Sequence, residues 1–423
     1  MKFPAGQTSG LPETRDLGRN WPPLLAAAGL CLLGAPLWGA SLGSESTVGL
    51  AAEYNSNPFL QAEHPPSTES AAFLANIPLT YTFDAQTFDL TPRIRQAESR
   101  GASQLLTNYE YLDADWQWKT ERSSVSAAAD WHRDSTFYDV VENASLHGRT
   151  LPRLDETANA GWQYALSERS NLRLGGSYER VGFGRSAGAS LADYDYAQGS
   201  AQFARNLTER TSWSSSVGVG RYTLRDQPSR NIDRFVQTSL SHDFSELWSG
   251  SAQVGYSRVG SESQAILCCE IVPLNGHLAL EYVSVHESTA EGISSYALNV
   301  QRRSELGTVA LAASRMVQPS ALGALLTEND ITLNASRALS ERLTLSGSLR
   351  RTQQSDAFQG TGNLANAYFY VGSLGLQWRW TEHWDVALGA IYDNERVSTQ
   401  TASAKATSVS LTLTRQLGRV RLD

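Results

Sequence analysis

The sequence predicts an all-β chain, folded as a single antiparallel up-and-down transmembrane β-barrel. Three observations carry this prediction. A turn reading Ser/Thr-Glu-Arg, or a near variant, keeps recurring. Segments of alternating polar and apolar residues flank each copy, and aromatic residues gather beside the turns. Beyond the N-terminus no apolar run is long enough for a transmembrane helix, which takes about 18 residues or more.

The turns are Thr120-Glu121-Arg122, Ser167-Glu168-Arg169, Thr208-Glu209-Arg210, Ser245-Glu246-Leu247, Ser304-Glu305-Leu306, Ser340-Glu341-Arg342 and Thr381-Glu382-His383. Their glutamates stand 47, 41, 37, 59, 36 and 41 residues apart. An interval near 40 holds two strands of about 10 residues, a tight turn and one longer loop. Short turns on one side and long loops on the other are the signature of an outer-membrane barrel. Within the turns, Ser and Thr cap backbone donors and the Glu-Arg pairs are solvated, so they are expected to have no binding role.

Composition agrees. Of 423 residues, 18% are charged, below the roughly 25% of soluble domains. Apolar residues make up 41% and are spread in alternation, as a polar lumen inside an apolar exterior requires. Residues 1–40 read as a secretory signal and residues 41–423 as the barrel. Lys2, Arg15 and Arg19 precede an apolar run from Leu24 to Leu37, and Gly39, Ala40 and Ser41 follow it. Leu30 is too large to make Cys31 a lipidation site. Without residues 1–40 the net charge goes from −8 to −9, which excludes nucleic acid as an expected partner. Adjacent Cys268 and Cys269 read as two small hydrophobes or as a strained vicinal disulfide.

Strand by strand, alternation begins at Thr47–Tyr54, where Val48, Leu50, Ala52 and Tyr54 share one face and Asn55-Ser56-Asn57-Pro58 ends the run. Segments near Leu74–Phe83 and Thr87–Gln96 follow, joined at Asp84-Ala85-Gln86 and carrying Pro78 and Pro92, each of which removes a ladder donor. From Thr107 onward Tyr109, Tyr111, Asp113, Asp115 and Gln117 share one face. Sixteen such segments run from there to Leu417. The resulting total of 19 is odd, whereas a bacterial barrel is even. Every Ser/Thr-Glu turn must lie on the same side, yet three segments separate Glu246 from Glu305. Adding Gln264–Val272, closed by Asn275-Gly276, gives about 20 strands, the favoured count. Reading Thr289-Ala290-Glu291 as a turn and demoting one segment gives 18, the alternative.

Trp116, Trp118, Trp213, Trp248, Trp378, Trp380 and Trp384 stand beside short turns and form the expected aromatic girdle. Asp113, Asp115, Arg173, Arg221, Arg258, Arg315, Arg350 and Arg396 are the candidate lumen charges, able to set a transverse field across a pore. Catalytic chemistry has weak candidates. Ser186 in Gly184-Arg185-Ser186-Ala187-Gly188 lacks the strand-to-helix setting of a nucleophile elbow. Asp130, His132 and Asp134 share one strand face, which a polar lumen explains equally well. No cofactor, metal site or enzyme activity is expected.

The opening Val48-Gly49-Leu50-Ala51-Ala52-Glu53-Tyr54-Asn55-Ser56-Asn57-Pro58 and the turn Ala338-Leu339-Ser340-Glu341-Arg342-Leu343 resemble a family of outer-membrane β-barrel porins. Its members occur beside exopolysaccharide or PEP-CTERM/exosortase genes of Gram-negative bacteria. The resemblance covers most of residues 46–417 and brings no catalytic set with it. It implies a pore or export channel in the Gram-negative outer membrane, for polar solutes or exopolysaccharide. Implied partners are outer-membrane lipid and lipopolysaccharide, the barrel-assembly machinery and polysaccharide-export components. The segment Leu417–Asp423 departs from the usual aromatic ending of such barrels. On the residues alone, a non-conducting surface-anchoring barrel with glycan- or partner-binding loops stays open as the alternative.

Overall fold

The structure, a computed structural model, describes residues 40–101, 105–138, 150–184, 191–225, 229–274, 277–320, 325–356, 366–397 and 403–422. The strands are β1 (Ala40–Asn55), β2 (Thr68–Asn76), β3 (Leu79–Phe83), β4 (Gln86–Arg100), β5 (Tyr109–Lys119) and β6 (Ser123–Ser135). After a short 3-10 turn at Thr136–Tyr138 come β7 (Pro152–Ser167), β8 (Ser170–Phe183), β9 (Tyr194–Asn206), β10 (Thr211–Leu224) and β11 (Ser229–Asp243). Then follow β12 (Trp248–Leu274), β13 (His277–Ser304), β14 (Gly307–Pro319), β15 (Leu325–Ser340), β16 (Leu343–Asp356), β17 (Ala367–Arg379), β18 (Trp384–Val397) and β19 (Ala404–Leu422). They pair antiparallel in order, and β1 closes the barrel on β19, with Leu50 opposite Leu413.

The barrel has 18 spans, because β2 and β3 are two halves of one. Both pair with β4, and the break falls at Ile77-Pro78, where proline withholds a ladder donor. Pro92 stays inside β4, opposite Leu112. The favoured count of about 20 is therefore corrected to the alternative of 18, though by a different route. Segments 248–258 and 264–272 are one strand, β12, and segments 277–286 and 293–302 are one strand, β13. Thr289-Ala290-Glu291 is no turn; Thr289 pairs with Ser261 inside the ladder. Polar runs such as Ser261-Glu262-Ser263-Gln264 imitate loops because that part of the hairpin stands beyond the apolar band. β11 pairs only as far as Ser263 and β14 only as far as Tyr296, so beyond those residues the two long strands hold only each other.

The recurrent turns have a local cause. The first-position hydroxyl accepts the N–H two residues on, from Arg169 to Ser167 Oγ (3.3 Å), Arg210 to Thr208 Oγ1 (3.2 Å), Arg342 to Ser340 Oγ (3.3 Å) and His383 to Thr381 Oγ1 (3.3 Å). At Thr120 the hydroxyl oxygen takes the Ser123 N–H at 3.0 Å instead. A reversal capped this way needs few residues, so all these turns lie at one end.

Alternation then sorts the side chains. Leu50, Val254 and Leu349 stand 62%, 60% and 61% exposed on the outer face, with Val217, Leu298, Leu374 and Leu411 around the same band. Such a continuous aliphatic belt is costly in water and suits hydrocarbon. The buried apolar cluster is on the other side of the wall. Val181, Phe183, Tyr194, Tyr222, Leu224, Val259 and Ile293 occupy inward positions at the long-loop ends of β8 to β13 and join Leu325. Tyr222 is 0% exposed and donates its hydroxyl to the Ser320 carbonyl at 2.8 Å, tying the residue after β14 to the inner wall.

The opening motif has a structural job. Asn57 is 1% exposed, donates Nδ2 to the carbonyls of Gln61 (2.8 Å) and Lys405 (2.9 Å), and accepts the Gln61 N–H at 2.9 Å. Ser56 donates its N–H to the Thr407 carbonyl at 2.9 Å and accepts the Thr407 N–H on Oγ at 2.8 Å. The loop after β1 is thus fastened along β19.

Candidate functional site in the barrel lumen

Cross-strand partners point to the same side of the wall, so the ladder register assigns each charge to lumen or exterior. On β4 to β8 the inward face is a paired network. Arg93 and His132 share Asp113, with His132 Nε2 2.7 Å from Asp113 Oδ1. Asp134 takes Arg153 Nε and Nη2 at 2.9 and 3.0 Å and the Tyr111 hydroxyl at 2.7 Å. Arg95 holds Glu53 of β1 at 3.0 Å, and Tyr194 donates to Glu179 at 3.0 Å. Tyr109 and Tyr111 stack at 4.5 Å, with Tyr138 edge-on to Tyr109 at 5.6 Å.

A second network faces inward from β14 to β16. Arg350 reaches Asp330 at 2.7 Å and Glu328 at 3.4 Å. Gln354 and Gln318 donate to the other Glu328 oxygen at 2.8 and 2.5 Å, and the Thr352 hydroxyl donates to Asp330. Some inward carboxylates have no ion-pair partner among the described residues: Asp115 on β5, within the first arc, and, between the arcs, Asp233 on β11 and Asp393 and Glu395 on β18. The cross-strand neighbours of Asp233, Asp393 and Glu395, among them Val259, Val371, Phe369, Ala404 and Ala406, are uncharged, while Asp115 stands opposite a second carboxylate, Asp89. The lumen wall therefore carries an excess of negative charge, and on β11 and β18 it stands away from the paired arginines.

Of the eight candidate lumen charges, Asp113, Asp115, Arg173 and Arg350 face inward. Arg173 donates to inward Gln163 at 2.8 Å. Arg221, Arg258, Arg315 and Arg396 are corrected to the outer face. Arg221 follows Val217 and Val219 in phase, and Arg258 follows Val254 and Tyr256. Arg315 pairs with outward Tyr296, and Arg396 pairs with Tyr368 two residues from outward Tyr370. Charge by itself does not mark the lumen. Past the apolar band the outer face is polar too, so only the phase relative to the aliphatic residues decides.

Trp116, Trp118, Trp213, Trp248, Trp378 and Trp384 lie on outward positions near the short turns, and Trp380 just past the end of β17. Their polar ends are satisfied locally. Trp213 Nε1 donates to Thr238 at 2.9 Å, and the guanidiniums of Arg302 and Arg415 lie over Trp248 and Trp384 at 5.8 and 5.6 Å. The sequence reading missed a second aromatic level near the other edge: Tyr54, Tyr178, Tyr256, Tyr296, Tyr370 and Tyr392, all exposed. Its signal was present as same-phase pairs eight residues apart, Trp248/Tyr256, Trp378/Tyr370 and Trp384/Tyr392. Eight residues at ~3.3 Å with a ~40° tilt span about 20 Å across the membrane.

The candidate chemistry resolves in part. His132 pairs with Asp113 on β5, and Asp134 is taken by Arg153, so Asp130, His132 and Asp134 do not form one relay. Donor atoms of Asp113, Asp130 and His132 lie within 4.8 Å of one another and could hold a cation, but Arg93 already neutralises Asp113. Ser186, Asn275-Gly276, the segment 1–39 and the side chains of Cys268 and Cys269 lie outside the described residues. The two cysteines fall at a register shift between Leu267 and Glu270.

Closed antiparallel strands with an aliphatic belt outside and ionised groups inside define a transmembrane β-barrel. No protein-family model matches the chain, and no curated protein matches it. Among solved structures, the open form of the ferric-catecholate import receptor Fiu from E. coli K12 is similar over 88% of this chain and 81% of its own, at 9% identity and a TM-score of 0.47. OccAB1 of Acinetobacter baumannii matches over 89% and 97%, at 8% identity and 0.46. OccK2 (OpdF) of Pseudomonas aeruginosa matches over 89% and 98%, at 11% identity and 0.45.

Proposed function

We propose that the chain is a water-filled pore of the Gram-negative outer membrane that passes small polar solutes and prefers cations. Barrels of this strand number enclose an interior wide enough for an aqueous path. The observation that carries the cation preference is the set Asp115, Asp233, Asp393 and Glu395, inward and without basic partners among the described residues. Unneutralised carboxylates in a narrow aqueous path raise the local cation concentration and repel anions. In this reading the protein is a channel rather than an enzyme, is inserted by the barrel-assembly machinery, and sits among lipopolysaccharide. If exopolysaccharide is its cargo, an acidic wall favours a neutral or cationic glycan over a polyanion.

A specific observation favours the second reading, a non-conducting anchoring barrel. The apolar cluster around Tyr222 and Val259 occupies the lumen at the long-loop end. Planar-bilayer recording of the purified chain separates the two. Single-channel steps with a reversal potential on the cation side support the pore. A silent bilayer across salt concentrations, with correctly folded protein, establishes the anchor instead.

A further inference from the structure

Three arginines on the outer face form a patch that no neighbouring group neutralises. Arg234 of β11 and Arg258 of β12 are register partners, and Arg221 of β10 lies diagonal to Arg234, opposite Ile232. All three are exposed, and none makes an ion pair or side-chain hydrogen bond among the described residues. Like charges placed directly opposite each other on a sheet repel. The outward acid beside them, Asp195, is already held by Arg180 at 3.0 Å, Arg225 at 3.2 Å and the Tyr178 hydroxyl at 2.8 Å. The contrast with the short-turn edge is clear, where outward Arg302 and Arg415 rest on tryptophan rings.

Depth tells what the patch meets. Arg258 stands ten residues beyond Trp248 on the same face, about 25 Å across the membrane at ~3.3 Å per residue and ~40° tilt, the height of the apolar band. Below the arginines lie Val217, Val219, Val236 and Val254, a surface for acyl chains. Tyr256 leans up beside Arg258. A Cβ on Gly292, the register partner of Arg258, would sit 1.9 Å from the Tyr256 hydroxyl, so glycine keeps that space for the phenol.

We propose that Arg221, Arg234 and Arg258, with the Tyr256 hydroxyl, dock the phosphates of an outer-leaflet glycolipid, the bisphosphorylated and acylated disaccharide of lipopolysaccharide. Guanidinium forks match phosphate geometry. Three of them spread over three strands, each step ~4.8 Å, span more than one phosphate group fills. That favours a bisphosphorylated headgroup over a phospholipid with one phosphate. This site is separate from the lumen and does not depend on conduction.

The full chain, refolded in zwitterionic detergent, is titrated with lipid A, with enzymatically dephosphorylated lipid A and with phosphatidylglycerol, and its unfolding midpoint is followed. Lipid A raises the midpoint of the unaltered protein, with an affinity on the order of tenfold above either comparator. The triple variant R221Q/R234Q/R258Q loses that preference, while a variant with R302Q and R415Q at the other edge keeps it. Equal shifts from dephosphorylated lipid A or phosphatidylglycerol overturn the proposal, as does full retention by the triple variant. If the triple variant does not fold, the comparison of the three lipids on the unaltered protein still decides. Conductance recorded on the same preparations tests the pore separately, and its absence leaves this site standing.

Discussion

Asn57 shows how much one side chain holds. It is buried in the loop after β1 and fastens that loop to β19 with bonds to Gln61 and Lys405. Asn57→Ala leaves those carbonyls without their donor and costs about 2 kcal/mol, read from urea unfolding in micelles. The lumen charges make opposite predictions from one wall. Asp393→Asn removes an unpaired inward carboxylate and lowers the cation preference, measured as a smaller reversal potential in a salt gradient. Arg350→Gln frees Asp330 and Glu328 from their shared cation and raises it. The inward phase of Asp113, Asp115, Arg173 and Arg350 was legible in the alternation. For Arg221, Arg258, Arg315 and Arg396 the phase was equally present in the neighbouring Val, Leu and Tyr residues. Arginine is no guide to the side of the wall, because past the apolar band the outer face carries charge as well.

Turns and strands differ in how far their own residues specify them. A Ser or Thr that caps the N–H two residues on is a local device, so the short turns were readable one by one. The hairpin of β12 and β13 was not. Its far part alternates like a span and is interrupted by polar runs, so it imitated additional membrane crossings. Whether a strand segment crosses the membrane depends on which neighbours pair with it, and that is a non-local property. Deleting residues 264–286 and joining Ser263 to Glu287, which are register partners, removes only strand that pairs with itself. The shortened chain is expected to fold and keep its conductance, checked by heat-modifiable mobility on electrophoresis and by bilayer recording. Retention only as an unfolded species would show that the projecting hairpin is needed for assembly.

At the scale of the molecule, closure of β1 on β19 leaves no unpaired edge at the seam of the described barrel, which is the condition for a sheet to persist in lipid. The belt of exposed aliphatics, the tryptophan level at the short turns and the tyrosine level eight residues beyond it then set the barrel's height. Charge is divided by the wall: an acidic excess inside, and arginines outside at the long-loop edge. If the interior field sets selectivity, the cation preference is strong in dilute salt and fades toward 1 M, where screening shortens the Debye length to about 3 Å. A reversal potential that stays constant over that range would assign selectivity to direct binding at a constriction instead.

The amino-acid sequence alone determined what depends on near neighbours: alternation, turn chemistry, the side of the short turns and the tryptophan girdle. These follow from local hydrogen bonding and from a period of two, both written within a few residues. The tertiary structure decided the 18 spans, the projecting hairpin, the pairing of Asp113 with His132 and the outward place of four arginines. Each of those depends on which strand lies beside which and in what register, and pairing between distant segments is set only when the whole barrel closes.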